Sequence, residues 1–154
     1  MSEIKQKLII MRGLPASGKS TKASDLVFPN EKYYRVNRDL LREMLSFNMW
    51  SEEMEKLAVD IEVMAVRKLL NGGYTVIVDD TNLLPKHELK WSNLAKEYGV
   101  DFEVIHINTD VDECVRRDKD RGGRKVGEKV IRQMFKQYME SWEEERKIDN
   151  EITL

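Results

Sequence analysis

Four short runs along the chain are apolar at nearly every position, and segments of helical periodicity lie between them. Leu8 to Met11 is unbroken, the pattern of a strand buried on both faces of a parallel sheet. Tyr74 to Val78 repeats it and ends in two carboxylates, Asp79 and Asp80. Tyr33–Val36 reads as a short strand, and Phe102–Asn108 as a further one in which His106 alternates with apolar neighbours, as a hydrogen-bonded structural histidine would. A helix is expected from Lys19 to near Phe28-Pro29, where proline blocks continuation. Asn37 is placed to cap a helix through Phe47, with Asp39 in its first turn, Asp39 and Arg42 on one face, and Leu41 and Leu45 on another. Ser51 is expected to cap a longer helix through Leu70 with Leu57, Ile61, Met64 and Val66 to Leu69 as its buried stripe, stopped by Asn71-Gly72-Gly73. Pro85 suits the first turn of a helix ending at Tyr98 before Gly99, and Asp110 caps another to about Lys119. The last helix, Glu128 to about Arg146, carries Val130, Met134, Tyr138 and Trp142 at helical spacing, a stripe that reads as core. Strands alternating with helices predict an α/β fold, a parallel sheet covered on both faces. With no internal repeat or linker, residues 1–154 are expected to form one domain.

Composition changes this picture little. The 154 residues are 41% hydrophobic and 35% charged, with a net charge of −2, so no global basic field advertises a polyanionic partner. The single cysteine, Cys114, has no internal disulfide partner and is expected to be structural. No run approaches membrane-spanning length and the first residues lack an apolar signal core, so no membrane association and a cytoplasmic location are expected.

The chemistry is concentrated just after the first strand. Gly13, Gly18, Lys19 and Ser20 fill the pattern G-x-x-x-x-G-K-[ST], with strand before and helix after. The two glycines let the backbone turn so that consecutive N–H groups face phosphate oxygens, and the helix start adds its positive dipole end. The loop Gly13–Thr21, including Pro15, Ala16, Ser17 and Thr21, is therefore expected to bind ATP, with Lys19 on the β- and γ-phosphates and the Ser20 hydroxyl on Mg²⁺.

Loops at the carboxyl ends of parallel strands build the site in such folds. Three further groups should converge there: Asn37-Arg38-Asp39 with Arg42, Asp79-Asp80-Thr81-Asn82, and the glycine-rich basic segment Arg117 to Arg124. Asp39 is the expected proton acceptor for an attacking hydroxyl. Asp80, or Asp79, is expected to orient acceptor or metal-bound water. Arginines of the mobile segment around Gly122-Gly123 suit phosphate binding in a closed state, Arg121 foremost.

At these residues the sequence resembles the 5′-kinase domain of phage polynucleotide kinase, within the wider P-loop kinase family of ATPase type. The matching segments are Gly13–Thr21, Asn37-Arg38-Asp39 with Arg42, Asp80-Thr81-Asn82-Leu83, Pro85 with Trp91, Ala95–Gly99, Arg117 with Arg121-Gly122, and Val130–Met134. They cover essentially the whole chain. The resemblance implies a four-stranded parallel sheet ordered 2-3-1-4. It implies ATP and Mg²⁺ on Lys19 and Ser20, Asp39 as general base, and the 5′-hydroxyl ends of DNA or RNA as acceptor. Arg42 would bind the phosphate 3′ to the first nucleotide, Arg38 and Asp80 would support the acceptor, and Arg117 and Arg121 would contact donor phosphates. The phage enzyme's 3′-phosphatase segment, with its Asp-x-Asp motif, has no counterpart in these residues, so phosphatase activity is not expected. Asp79 also departs from the pattern by adding a negative charge beside the acceptor site. Two other readings share the loop. A small-metabolite kinase would need a closed acceptor pocket and no phosphate clamp, and a non-catalytic nucleotide switch would need no acceptor base.

Overall fold

The computed structural model describes residues 5–153, with the side chains of residues 124 and 151–153 left aside. Four strands, β1 (Lys7–Arg12), β2 (Tyr33–Val36), β3 (Thr75–Val78) and β4 (Asp101–His106), form one parallel sheet in the order β2-β3-β1-β4. Ile9 pairs with Ile77 on one side and Glu103 on the other, and Tyr34 with Val76. This is the 2-3-1-4 order that the resemblance implied. α1 (Lys19–Val27) joins β1 to β2, α2 (Arg38–Ser46) and α3 (Glu52–Asn71) join β2 to β3, α4 (Pro85–Tyr98) joins β3 to β4, and α5 (Val111–Lys119) and α6 (Glu128–Thr153) follow β4.

The unbroken apolar strands split their side chains between two cores because successive residues point to opposite faces. Leu8, Ile10, Val76 and Val78 pack with Val66 and Leu70 of α3 and Trp91, Leu94 and Ala95 of α4. Ile9, Met11 and Ile77 pack on the other face with Ala23 of α1. Each such side chain, fully buried, contributes roughly 1.5–3 kcal/mol, which anchors β1 and β3 as the centre of the sheet. A third cluster, Leu14, Leu83, Cys114, Val115 and Ile131, fixes α5 and α6 beneath the loops that follow β1 and β3. Cys114 is buried there, its thiol pushed up by that burial, as a structural cysteine should be.

The capping residues act as their chemistry suggests. Asn37 Oδ1 accepts from the Leu40 N–H at 2.9 Å, Ser51 Oγ from Met54 at 3.0 Å, and Asp110 Oδ1 from Asp112 at 2.8 Å. Three readings are corrected. The buried stripe of α3 is Met54, Ala58, Glu62, Val66 and Leu70, a four-residue repeat, while Leu57 and Met64 face outward. In α6 the deepest residue is Ile131 rather than the exposed Val130, and the helix runs on past Arg146. In both cases surplus apolar residues beside the true stripe blur the periodicity. His106 ends β4 and packs edge to face on Tyr138 at 5.9 Å, a ring contact rather than a hydrogen bond.

Candidate active site

The turn from β1 into α1 is a cradle whose shape only certain residues allow. Gly13 donates its N–H to Thr81 O at 3.1 Å, tying the loop to the end of β3. A Cβ on Gly13 would stand 2.6 Å from Ser17 Oγ and 2.9 Å from Ile107 O, so no side chain fits. Gly18 caps α1 in the left-handed region at φ 104°. Ala16 shares that conformation at φ 65°, a strain that marks the loop as held in shape by its surroundings. Thr109 Oγ1 and Arg117 Nη1 both donate to Ser17 O, at 2.8 and 3.2 Å, and Ser17 Oγ is buried with no partner. Lys19 lies across the loop with Nζ on Leu14 O at 2.7 Å. Burial pushes its ammonium below the usual lysine range, and the Asp79 carboxylate partly offsets this.

Asp79, at the end of β3, is buried against the start of α1. Its Oδ2 accepts from Ser20 Oγ at 3.0 Å and from Arg35 Nε at 2.7 Å, and Arg35 Nη2 also donates to Ser20 Oγ at 3.2 Å. The extra negative charge is therefore compensated by Arg35 of β2. Asn37 Nδ2 donates to Asp79 O at 2.6 Å, which joins the start of α2 to the same point.

The face of α2 turned to this cleft carries Asp39 and Arg42. Asp39 and Arg42 meet as the three-residue spacing predicts, with Arg42 Nη1 donating to Asp39 Oδ1. Arg42 is also gripped by Glu55 of α3 through Nε and Nη2, both at 2.7 Å. This bidentate bond holds the Glu55 carboxyl below its usual range and raises the guanidinium. Asp39 is the exposed member, its side chain 84% accessible. Asp80 accepts the Arg38 N–H on Oδ1 at 2.9 Å. The Arg38 guanidinium lines the cleft but turns inward, Nη2 donating to Glu62 Oε1 at 3.1 Å.

Beyond α5 the basic segment folds back over the loop. Arg117 is steered by Glu113 at 2.9 Å, and Arg121 lies 3.7 Å from Asp118. Asp118 accepts the N–H groups of Val126 and Gly127 at 2.9 and 2.8 Å, which ties down the far end of the segment. Burial alone would raise its carboxyl, but these bonds, with Arg121, hold it below the usual range. A cavity of about 300 Å³ is lined by Pro15, Ala16, Lys19, Ser20, Asp39, Arg42, Asp80 and Arg121, among others. A second, of about 280 Å³, runs along Ala16 to Thr21 with Arg117 and Arg121. Ala16, Lys19, Ser20 and Arg121 line both. The arrangement is two lobes meeting at the lysine.

Sequence reasoning missed Arg35, Glu55, Glu62 and Asp118. Glu62 left a trace, as the one charged residue in the four-residue repeat of α3. The others look like ordinary surface charges, and only the packing of their elements gives them partners.

A parallel 2-3-1-4 sheet with a phosphate-binding loop between its first strand and helix, and carboxylates converging on that loop, defines a kinase of the P-loop type. The chain belongs to the AAA domain family AAA_33, whose family model matches residues 8–144. It is 30% identical over 135 residues to L-seryl-tRNA(Sec) kinase of Methanococcus maripaludis, covering 85% of this chain and 52% of that protein. It is 26% identical over 104 residues to the bifunctional polynucleotide phosphatase/kinase of Schizosaccharomyces pombe, covering 68% of this chain and 22% of that one. In the structure of the Pnkp1/Rnl/Hen1 RNA repair complex, one chain matches with a TM-score of 0.81 at 27% identity, over 93% of this chain and 47% of the other. The chain thus spans about half or less of the length of these relatives. Among the described residues no helix is long and apolar enough to cross a membrane.

Proposed function

We propose that this chain, acting as one kinase domain, transfers the γ-phosphate of ATP to the 5′-hydroxyl of a DNA or RNA end. The observation that carries the reading is Asp39 paired with Arg42 in the cleft that also holds Lys19, Ser20 and Arg121. A proton acceptor beside an anion clamp suits a hydroxyl that has a phosphate as its neighbour.

The loop N–H groups, Lys19, Arg117 and Arg121 would hold the donor phosphates. The residues also fit magnesium. Ser20 offers a hard oxygen oriented by Asp79, and no group of three or more His, Cys, Asp or Glu among the described residues could hold a metal by itself, so phosphate and water oxygens would complete the shell. When bound, the ion supplies charge neutralisation at the transferring phosphoryl group. Asp39 takes the proton of the attacking hydroxyl as its oxygen bonds to the γ-phosphorus and the bond to the β–γ bridging oxygen breaks. Arg121 stabilises the charge on the equatorial oxygens. Glu55 pre-orients Arg42, and with one Nη1 hydrogen on Asp39 the fork keeps one N–H on each terminal nitrogen for the acceptor phosphate.

The test compares specificity constants for a nucleoside 3′-monophosphate and its parent nucleoside. Losing a charge-assisted contact costs about 2–5 kcal/mol, so the phosphorylated acceptor should be preferred roughly 30- to several-thousand-fold. Arg42→Ala should collapse that ratio. A ratio near one in the unmodified protein would point to a small-metabolite kinase. The similarity to L-seryl-tRNA(Sec) kinase over 85% of the chain favours a second reading, a primary hydroxyl on an aminoacyl-RNA. Seryl-tRNA offered in competition with a 5′-hydroxyl oligonucleotide distinguishes the two.

A further inference from the structure

Behind the acceptor lobe lies a buried cluster that the proposed transfer does not use. Glu62 projects from the middle of α3 and is completely buried, and Asp80 sits at the end of β3. Arg38 joins them, with Nη2 3.1 Å from Glu62 Oε1 and 3.9 Å from Asp80 Oδ2. Glu62 Oε2 and Asp80 Oδ2 are both buried and have no donor of their own. The same guanidinium holds both carboxyls. Were both ionised, each would be an acceptor only, and neither unpartnered oxygen would find a hydrogen. A proton on one carboxyl supplies the missing donor. With it, two carboxyls and one guanidinium sum to zero charge, the only inexpensive total in so dry a place.

We propose that Glu62 and Asp80 share a single proton, with Glu62 Oε2–H donating to Asp80 Oδ2, and that this pair is a positioning device for the acceptor site. The chain of contacts is short. Neutral Glu62 fixes Asp80, and the other oxygen of Asp80 accepts the Arg38 N–H in the first turn of α2. Asp39 is the next residue and Arg42 lies on the same face. A shift of Asp80 therefore moves the proton acceptor and the clamp together. Oxygen Oε1 of Glu62 is occupied by Arg38, which assigns the proton to Oε2.

The surroundings agree. Burial first, then the bond and charge of Asp80, push Glu62 up to about 9, against the opposing pull of Arg38. From α3 itself Glu55 approaches Arg38 at 3.8 Å. From α4, Lys90 and His87 face the cluster. Burial and the charges of Lys86 and Arg38 hold His87 at about 4, so it stays neutral and does not titrate with the pair. Lys90 is pushed below its usual range by burial and by Arg38.

The assignment of the pair rests on the shared guanidinium and the two unpartnered oxygens, and only its effect on transfer rests on the polynucleotide reading, so the test has two arms. In the full chain labelled with ¹³C-glutamate, the Glu62 carboxyl, assigned by its loss in Glu62→Gln, should titrate near 9, apart from the other glutamates. Asp80→Asn removes the like charge and offers an amide N–H to the ionised form, and should move that midpoint down. A Glu62 midpoint in the ordinary range of glutamate, or one indifferent to Asp80→Asn, overturns the shared proton. In the second arm Glu62→Gln, whose amide can donate to Asp80 and accept from Arg38, should keep turnover on a 5′-hydroxyl oligonucleotide within about threefold. Glu62→Ala should lose roughly 10- to 100-fold in kcat/KM for the acceptor with KM for ATP little changed, and the Arg38 amide should exchange faster with solvent. Equal kinetics and equal exchange in both variants overturn the positioning role. If Glu62→Ala fails to fold, an unchanged Glu62→Gln supports the role, and a Glu62→Gln as impaired as Arg42→Ala overturns it. Absence of transfer to any oligonucleotide by the unmodified protein would remove the polynucleotide reading, while the titration and exchange would still decide the pair.

Discussion

Lys19 and Asp39 face the same cleft from opposite lobes, and their environments separate what each contributes. Lys19 is drawn over the loop and partly desolvated, so its charge is focused where donor phosphates would lie. Its side chain bonds a loop carbonyl, so Lys19→Ala should remove transfer while leaving the thermal transition nearly unchanged. A folded Lys19→Ala protein with near-normal turnover would sink the kinase mechanism. Asp39 is exposed and paired with Arg42. Asp39→Asn keeps that contact and loses proton acceptance, so kcat should fall roughly 10²–10⁴-fold with acceptor KM little altered. Steady-state kinetics at saturating ATP reads both values. At this scale the sequence was most informative for Gly13, Gly18, Lys19 and Ser20, because a phosphate-binding loop is local and its spacing is its mechanism. Arg35 was illegible, since its partner Asp79 is 44 residues away and the charge balance between them exists only after β2 pairs with β3.

The elements around the site are held by a few specific contacts. Gly13 is the tightest of these, where the β1–α1 turn passes under Thr81 and Ile107. Gly13→Ala should destabilise the fold by roughly 1–3 kcal/mol through overpacking against the Ile107 carbonyl, and should weaken ATP binding with it. Gly123, in the segment between α5 and α6, has open space around it, and Gly123→Ala should stay within about 0.5 kcal/mol. Paired denaturant melts and nucleotide titrations of the two variants check this contrast. Helix starts were legible here, because Asn37, Ser51 and Asp110 signal their own capping bonds. The inner faces of α3 and α6 were not. Leu57, Met64 and Val130 are as apolar as their buried neighbours, and only the placement of each helix on the sheet decides which row turns inward.

Across the whole molecule, Glu62 makes stability depend on pH in a stated direction. Its folded value of about 9 lies above its ordinary 4.5, so the folded chain holds that proton more tightly than the unfolded chain. The contribution is complete below about 4.5 and is lost as pH rises through about 9. Glu62→Gln removes this dependence, so the Tm of the variant relative to the unmodified protein should rise between pH 5 and pH 8.5. A constant difference across that range would count against a protonated Glu62. The sequence by itself determined the alternation of strands and helices, the parallel α/β class and the identity of the phosphate loop. Each of these depends on hydrophobic period or on residues adjacent in the chain. Tertiary structure alone decided that Glu55 grips Arg42, that Arg35 neutralises Asp79, and that Arg38 links a glutamate in an apolar stripe to an aspartate at a strand end. Those partners lie from 13 to 44 residues apart. Their charges acquire meaning only when burial removes the water that would otherwise screen them.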